Sequence, residues 1–259
     1  MSKLELQQLS CHYKHVCAVD AVNLSIQSDG IYTLLGSNGC GKSTLLRAIC
    51  GLQPFTGSCL LNQKQIHHLS IKQRAQQIAY MGQNSTVNLH LPAIEIVAMG
   101  FYPMLHPFEK LHPEHHQQAL NVMKSLSIDR FASQDFLTLS GGQQQLVLFA
   151  RTMVRTPSFI VLDEPDSALD FENHHLMFSY LVNYVKNHPC LVLLCTHNPS
   201  IALQYSDFLV LMKEGKLIEQ VNLHQCTKEQ LETSLQKIYG NIEIISHKQK
   251  YIMVGRDCS

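Results

Sequence analysis

The stretch "IYTLLGSNGCGKSTLLRAIC", residues 31–50, decides the fold. Ile31–Gly36 is an apolar run of strand length, and Lys42–Cys50 has the spacing of a helix that Gly51 closes. Between and overlapping them, Gly36–Thr44 fits the pattern G-x-x-x-x-G-K-[ST] in the strand-to-helix context that the pattern requires. Gly36, Gly39 and Gly41 let the backbone turn its amides toward a phosphate chain, and the helix start adds favourable potential. Lys42 is expected to reach β- and γ-phosphates and Ser43 to ligate magnesium. The expected nucleotide-binding set is therefore Gly36, Ser37, Asn38, Gly39, Cys40, Gly41, Lys42, Ser43 and Thr44.

Further along, "FIVLDEP" places Asp163 at the end of a buried strand, where a carboxylate can hold the magnesium shell. Glu164 follows as the natural general base for a water attacking the γ-phosphate. Taken alone, an acid pair of this kind is as readily structural; after a phosphate loop it points to catalysis. "LVLLCTH" is another buried strand, and like "FIVLDE" it follows a proline that ends the preceding helix. "FLVLMKEGKLIEQ" has the pattern of a hairpin turning at Glu214-Gly215. Apolar runs alternating with helical patterns predict an α/β fold with a mostly parallel sheet. Strand signals lapse over about 85–155, where helical patterns at His115–Leu126 and Gln143–Arg155 suggest an inserted helical subdomain. From Val221 a helix in "TKEQLETSLQKIYG" and a strand pair in "IEIISHKQKYIMVG" form a small extension, 221–259, after a main domain of 1–220.

Composition excludes several classes. Twenty basic residues balance twenty acidic ones in 259, so no broad field exists to hold nucleic acid by charge. The nine cysteines lack a C-x-x-C pair and mostly sit in apolar runs, as buried thiols of a reducing compartment do. No window reaches the roughly 18 uninterrupted apolar residues of a membrane helix. A cytoplasmic chain is expected, peripheral on the inner face of the membrane if a partner carries it there. Fifteen histidines invite a metal reading, but "LHPEHH" lacks a cysteine or carboxylate set at zinc-ligand spacing and is expected to be a solvated loop leading into a helix.

A phosphate loop and an acidic strand still leave kinases, GTPases, helicases and transport ATPases open. "LSGGQQQLVLFAR", Leu139–Arg151, narrows them. Its "LSGGQ", ahead of the acidic strand, resembles the signature of the ATP-binding cassette (ABC) family, and the resemblance runs from about residue 4 to residue 218 with every motif in order. It implies a P-loop NTPase of the ABC ATPase type, with an N-terminal antiparallel β part. By that resemblance Tyr13 stacks on adenine, although without it a tyrosine there is better read as core packing. Gln83 touches magnesium and the attacking water and senses the membrane partner. Ser140, Gly141, Gly142 and Gln143 meet the ATP held by a second copy of the chain, and Ser167, Ala168, Leu169 and Asp170 form the loop crossing that dimer interface. His197, which alone would be a satisfied structural residue, holds the γ-phosphate and helps position the water. A phosphate-loop kinase gives no reason for "LSGGQ" or for His197.

The chain departs from the family pattern at Gly82, where proline is common, at Asp166, where Thr or Ser usually follows Glu-Pro, and at Asn198, where an acid is common. Gln144 and Leu146 stand at positions that usually carry Arg or Lys and Arg. "VAMGFYPML" and "LDFENHH" resemble phrases of the importer ATPases for iron–siderophore, haem and cobalamin, as does the tail helix ending at Tyr239-Gly240. That branch implies ATP and magnesium as cofactors, a homodimer, a membrane permease and, indirectly, a substrate-binding protein. A soluble, non-transport cassette ATPase, such as one serving iron–sulfur assembly, is the alternative.

Overall fold

The computed structural model describes residues 3–14, 16–83, 85–247 and 250–255. In chain order these form β1 (Leu4–Tyr13), β2 (Val16–Ile26), β3 (Gly30–Leu35), α1 (Lys42–Ile49), β4 (Thr56–Leu61), β5 (Lys64–Gln65), α2 (Ile71–Gln77), β6 (Ile78–Met81), α3 (Ala93–Ala98), α4 (Pro113–Ser125), α5 (Gly141–Met153), β7 (Phe159–Asp163), α6 (Phe171–Asn187), β8 (Leu191–Cys195), α7 (Pro199–Tyr205), β9 (Phe208–Lys213), β10 (Lys216–Asn222), α8 (Lys228–Tyr239), β11 (Ile242–His247) and β12 (Lys250–Gly255). They fall into two units, one made of the chain up to Leu69 together with Leu191 onward, the other of Ser70–Cys190.

In the first unit β3 pairs in parallel with β8 on one side and β9 on the other, and β9 turns back antiparallel into β10. Every residue of β3 and of β8 is buried, as parallel strands covered on both faces require. The hairpin turns at Glu214-Gly215, both at positive φ (51° and 78°), the conformation that matches the twist of paired strands. A separate antiparallel sheet, in the order β2-β1-β4-β5, supplies the N-terminal part. The extension does not stand alone: Leu231 and Leu235 of α8 and Ile242 and Ile244 of β11 share one apolar cluster with Leu35, Leu209 and Leu211.

The second unit holds the parallel pair β6–β7 and the helices α2 to α6. α4 and α5 match the helical patterns at 115–126 and 143–155, each beginning two residues earlier because a capping residue fixes the start. His112 caps α4 with His115 in the reciprocal position, so "LHPEHH" is the helix start itself rather than a loop before it. Gly100 is explained by packing: a Cβ there would come within 2.3 Å of the Arg151 carbonyl oxygen of α5. Among the described residues six of the cysteines are buried, Cys17 is exposed and Cys226 half-buried, all as free thiols. Burial pushes Cys11 up to about 11 and Cys59 up to about 12, which keeps both protonated.

Between α3 and α4, His116 Nε2 lies 3.0 Å from Glu95 Oε1, and that hydrogen bond is the main cause raising the imidazole above its usual range. A raised folded-state value gives stability that is full below the ordinary histidine pKa of about 6.5 and lost as pH rises through the folded value. Both side chains are partly exposed, at 32% and 38%, so the pair contributes about 0.5 kcal/mol. Glu95→Gln should therefore lower the melting temperature slightly near pH 6 and leave it unchanged near pH 9; calorimetry at the two pH values checks the sign.

Candidate phosphate-binding and hydrolytic site

The phosphate loop joins β3 to α1. No side chain caps α1 and no acidic residue stands in its first turn, so its leading amides are left for an anion. The Lys42 ammonium is folded back into the loop, donating to the carbonyls of Gly36 at 2.8 Å and Ser37 at 3.0 Å, with Cys40 Sγ at 3.9 Å. Ser37, Asn38 and Gly39 form the exposed rim, Ser43 and Thr44 are half-buried at the helix start, and Cys40 is buried beneath. The parallel register pairs Leu34 with Cys195, so the loop after β3 and His197 after β8 leave the same edge of the sheet. His197 is exposed, and Asn198 next to it accepts from Ser200 N as the cap of α7, the role its short amide can fill without a charge. Tyr13 is 44% exposed at the end of β1, its hydroxyl donating to Gln53 Oε1 at 2.9 Å, and so is not a core residue.

Sequence reasoning missed one neighbour of this loop. The Tyr239 phenol at the end of α8 comes close to the Gly36 backbone, and burial above all, with Cys40 and Cys195 close by, pushes it up to about 12. Nothing local in "KIYG" marks that contact, because it joins positions two hundred residues apart in the chain.

In the second unit Met81 pairs with Leu162 in the β6–β7 register, which carries Gln83 and Glu164 out side by side. Gln83 Nε2 donates to Glu164 Oε2 at 2.5 Å. Asp163 and Glu164 are both buried, at 2% and 6% exposure. Two buried carboxylates offer hard oxygen donors of the kind that a divalent cation such as magnesium takes. Gly82 donates its amide to Ser85 Oγ at 3.1 Å, a bond that a proline at this position could not make.

Ser140 caps α5 reciprocally with Gln143: Ser140 Oγ accepts from Gln143 N at 3.4 Å, and Gln143 Oε1 accepts from Ser140 N at 3.0 Å. Gly141 is exposed and a Cβ there would meet nothing within 4 Å, which leaves its face of the helix start open. Gly142 lies against the loop Ser167–Asp170 of the same chain, a Cβ there coming 3.1 Å from Ala168 O. Asp170 caps α6 by accepting from Asn173 N, and Asp166 pairs with His174 Nε2 at 3.3 Å. The remaining glutamines turn inward. Gln144 donates to the carbonyls of Phe136 and Leu139, both at 3.1 Å, and Leu146 is buried in the core, so neither departure faces solvent as an arginine would. Gln145 donates to the carbonyls of Pro165 at 2.8 Å and Glu164 at 3.4 Å, a contact not legible in the sequence.

The model of the family described as "ABC transporter" matches residues 19–167. A hemin import ATP-binding protein of Escherichia coli O157:H7 is 35% identical over 208 residues, 77% of this chain and 78% of the relative. A probable iron chelatin transport ATP-binding protein of Helicobacter pylori is 31% identical over 221 residues, 85% of this chain and 87% of the relative. Among solved structures, a transporter described as of metal-chelate type, facing inward, superposes with a TM-score of 0.79 at 25% identity, covering 98% of this chain and 96% of the other. A dimeric ATP-binding cassette in a post-hydrolysis state with ADP and Pi superposes with a TM-score of 0.77 at 26% identity, covering 85% of this chain and 98% of the other.

If the Tyr239 hydroxyl steadies the loop by its approach to Gly36, Tyr239→Phe should keep the fold and weaken ATP binding by up to roughly fivefold, the worth of at most about one hydrogen bond. Titration with ATP measures it, and an unchanged dissociation constant would reduce Tyr239 to packing.

Proposed function

The chain belongs to the ABC transporter family as an ATP hydrolase of the transport type, and on that premise we propose that it powers uptake of an iron chelate, haem or cobalamin through a membrane permease. The observation that carries the hydrolytic part is Gln83 on Glu164 at the ends of paired parallel strands. Glu164 takes the proton of the attacking water, and the Gln83 amide on one carboxylate oxygen leaves the other to do so. Lys42 exchanges its two loop carbonyls for β- and γ-phosphate oxygens, which the adjacent amides of α1 also bind. Tyr13 supports the adenine and His197 the γ-phosphate. Ser43, Asp163 and Gln83 would hold magnesium, which would supply charge neutralisation on the phosphate oxygens.

Two copies work head to tail in this reading. Ser140, Gly141, Gly142 and Gln143 of one approach the γ-phosphate of the nucleotide on the other, and Ser167–Asp170 crosses between them. Among the described residues no helix is long and apolar enough to cross a membrane, so the path for the ligand belongs to the permease. Its contact is supported by exposed apolar side chains after Gln83, namely Leu89, Tyr102, Met104 and the fully exposed Phe108. A groove of about 430 Å³ lined by Ile94, Leu111 and Leu120 opens in the same segment. The chain thus acts on the cytoplasmic face, with a substrate-binding protein as an indirect partner. The choice of an iron chelate, haem or cobalamin is supported by the hemin and iron chelatin relatives.

Glu164→Gln should bind ATP as the wild type does and hydrolyse it roughly 10²–10⁴-fold more slowly, measured by phosphate release; wild-type turnover would remove Glu164 from the base role. Lys42→Ala should lose ATP binding, which calorimetric titration reads directly. Reconstituted with its permease in vesicles, the chain should drive ATP-dependent accumulation of a ferric siderophore, hemin or cobalamin, and accumulation of none of these would send the transport reading elsewhere.

A further inference from the structure

Glu164 carries a side chain, is buried, and has φ 52°, in the left-handed region. That conformation is strained for a residue with a Cβ and persists only where its surroundings over-determine it. Pro165 removes one escape, because the residue before a proline avoids the right-handed helical region, but it leaves the extended region open. Ser167 N reaches the Glu164 carbonyl at 3.3 Å, a weak restraint. Gln145 ties the turn further: its carboxamide donates to the Pro165 carbonyl at 2.8 Å and to the Glu164 carbonyl at 3.4 Å. Gln145 is half-buried and stands little more than one turn along α5 from Ser140, where the capping box fixes the start of the helix.

We propose that Gln145 is a positioning residue for hydrolysis: it clamps the strained Glu164-Pro165 turn to the signature helix and so sets where the Glu164 carboxylate stands. Gln83 holds the carboxylate while Gln145 holds the backbone that carries it. The inference rests on the proposed role of Glu164 as base. Because the start of α5 meets the nucleotide of the other copy in that reading, the clamp carries the position of one site's signature to the other site's base.

The test uses the full-length chain with Gln145→Met, which keeps length without a donor, and Gln145→Glu, which keeps shape but has no N–H to give. Both should lower kcat roughly tenfold while ATP affinity stays within about twofold, as expected for losing two neutral hydrogen bonds that act on the chemical step alone. Gln145→Met combined with Glu164→Gln should be no slower than Glu164→Gln, since a residue acting through the base has nothing left to position. A kcat near the wild-type value in both single variants, an additive loss in the double variant, or a fall in ATP affinity or melting temperature that accounts for the lost rate would each overturn the clamp. Glu164→Gln at wild-type turnover would overturn the base and the clamp together. Slow Glu164→Gln beside wild-type kcat in both Gln145 variants would overturn the clamp alone.

Discussion

The phosphate loop has no room for a side chain at two of its backbone positions, and the first unit is organised around that constraint. A Cβ on Gly36 would come 2.3 Å from Met212 O at the end of β9, and one on Gly41 would come 2.2 Å from Ala18 O in β2. Hydrogen bonds tighten the same approach: Gly215 N donates to Cys40 O at 3.0 Å, and Asp20 N donates to Gly215 O at 2.9 Å. The loop, the hairpin turn and the N-terminal sheet thereby meet through main chain, and the ion pair of Lys216 with Asp20 at 3.3 Å joins the last two by side chains as well. Gly41, at φ 102°, is required twice over, by its conformation and by the carbonyl beside it.

That backbone network also explains the state of Lys42. Its ammonium is held by carbonyls of the loop it belongs to, so the loop is shaped around a cation before a nucleotide arrives. The second unit solves a different problem with similar means. Gln83, Gln145 and the capping Gln143 are neutral amides placed where a buried acid or an exposed helix start must be held without adding charge. Neutral donors suit the base role proposed for Glu164, since a cation beside a carboxylate favours its ionised form and weakens it as a base.

Local patterns made much of this readable beforehand. The run Ile31–Gly36, the helix after Lys42, the turn at Glu214-Gly215 and the helices starting near His115 and Gln143 all declare themselves within a dozen residues of sequence. Ordered motifs likewise located the loop, the acidic strand and the helix start, which the structure places at the ends of β3, β7 and before α5. Contacts between distant positions were not readable. Tyr239 near Gly36 and Gln145 on Pro165 depend on which elements become neighbours, and no periodicity encodes that. The histidines misled for a related reason: "LHPEHH" was polar enough for a loop, yet His112 and His115 serve as the two halves of a helix cap, a task more often given to Ser and Glu.

The first unit is assembled from the two outer parts of the chain, while Ser70–Cys190 is continuous. During synthesis from the N-terminus the phosphate loop leaves the ribosome early, but Met212, Gly215 and Tyr239, which shape it, are made after the whole of the second unit. The continuous unit is free to fold first, and the loop must wait in an uncradled state for most of translation. Nucleotide-binding competence therefore comes late in the life of the nascent chain, and any slowing of elongation beyond residue 190 lengthens the interval in which Leu35, Leu209 and Leu211 lack the cover of α8 and β11.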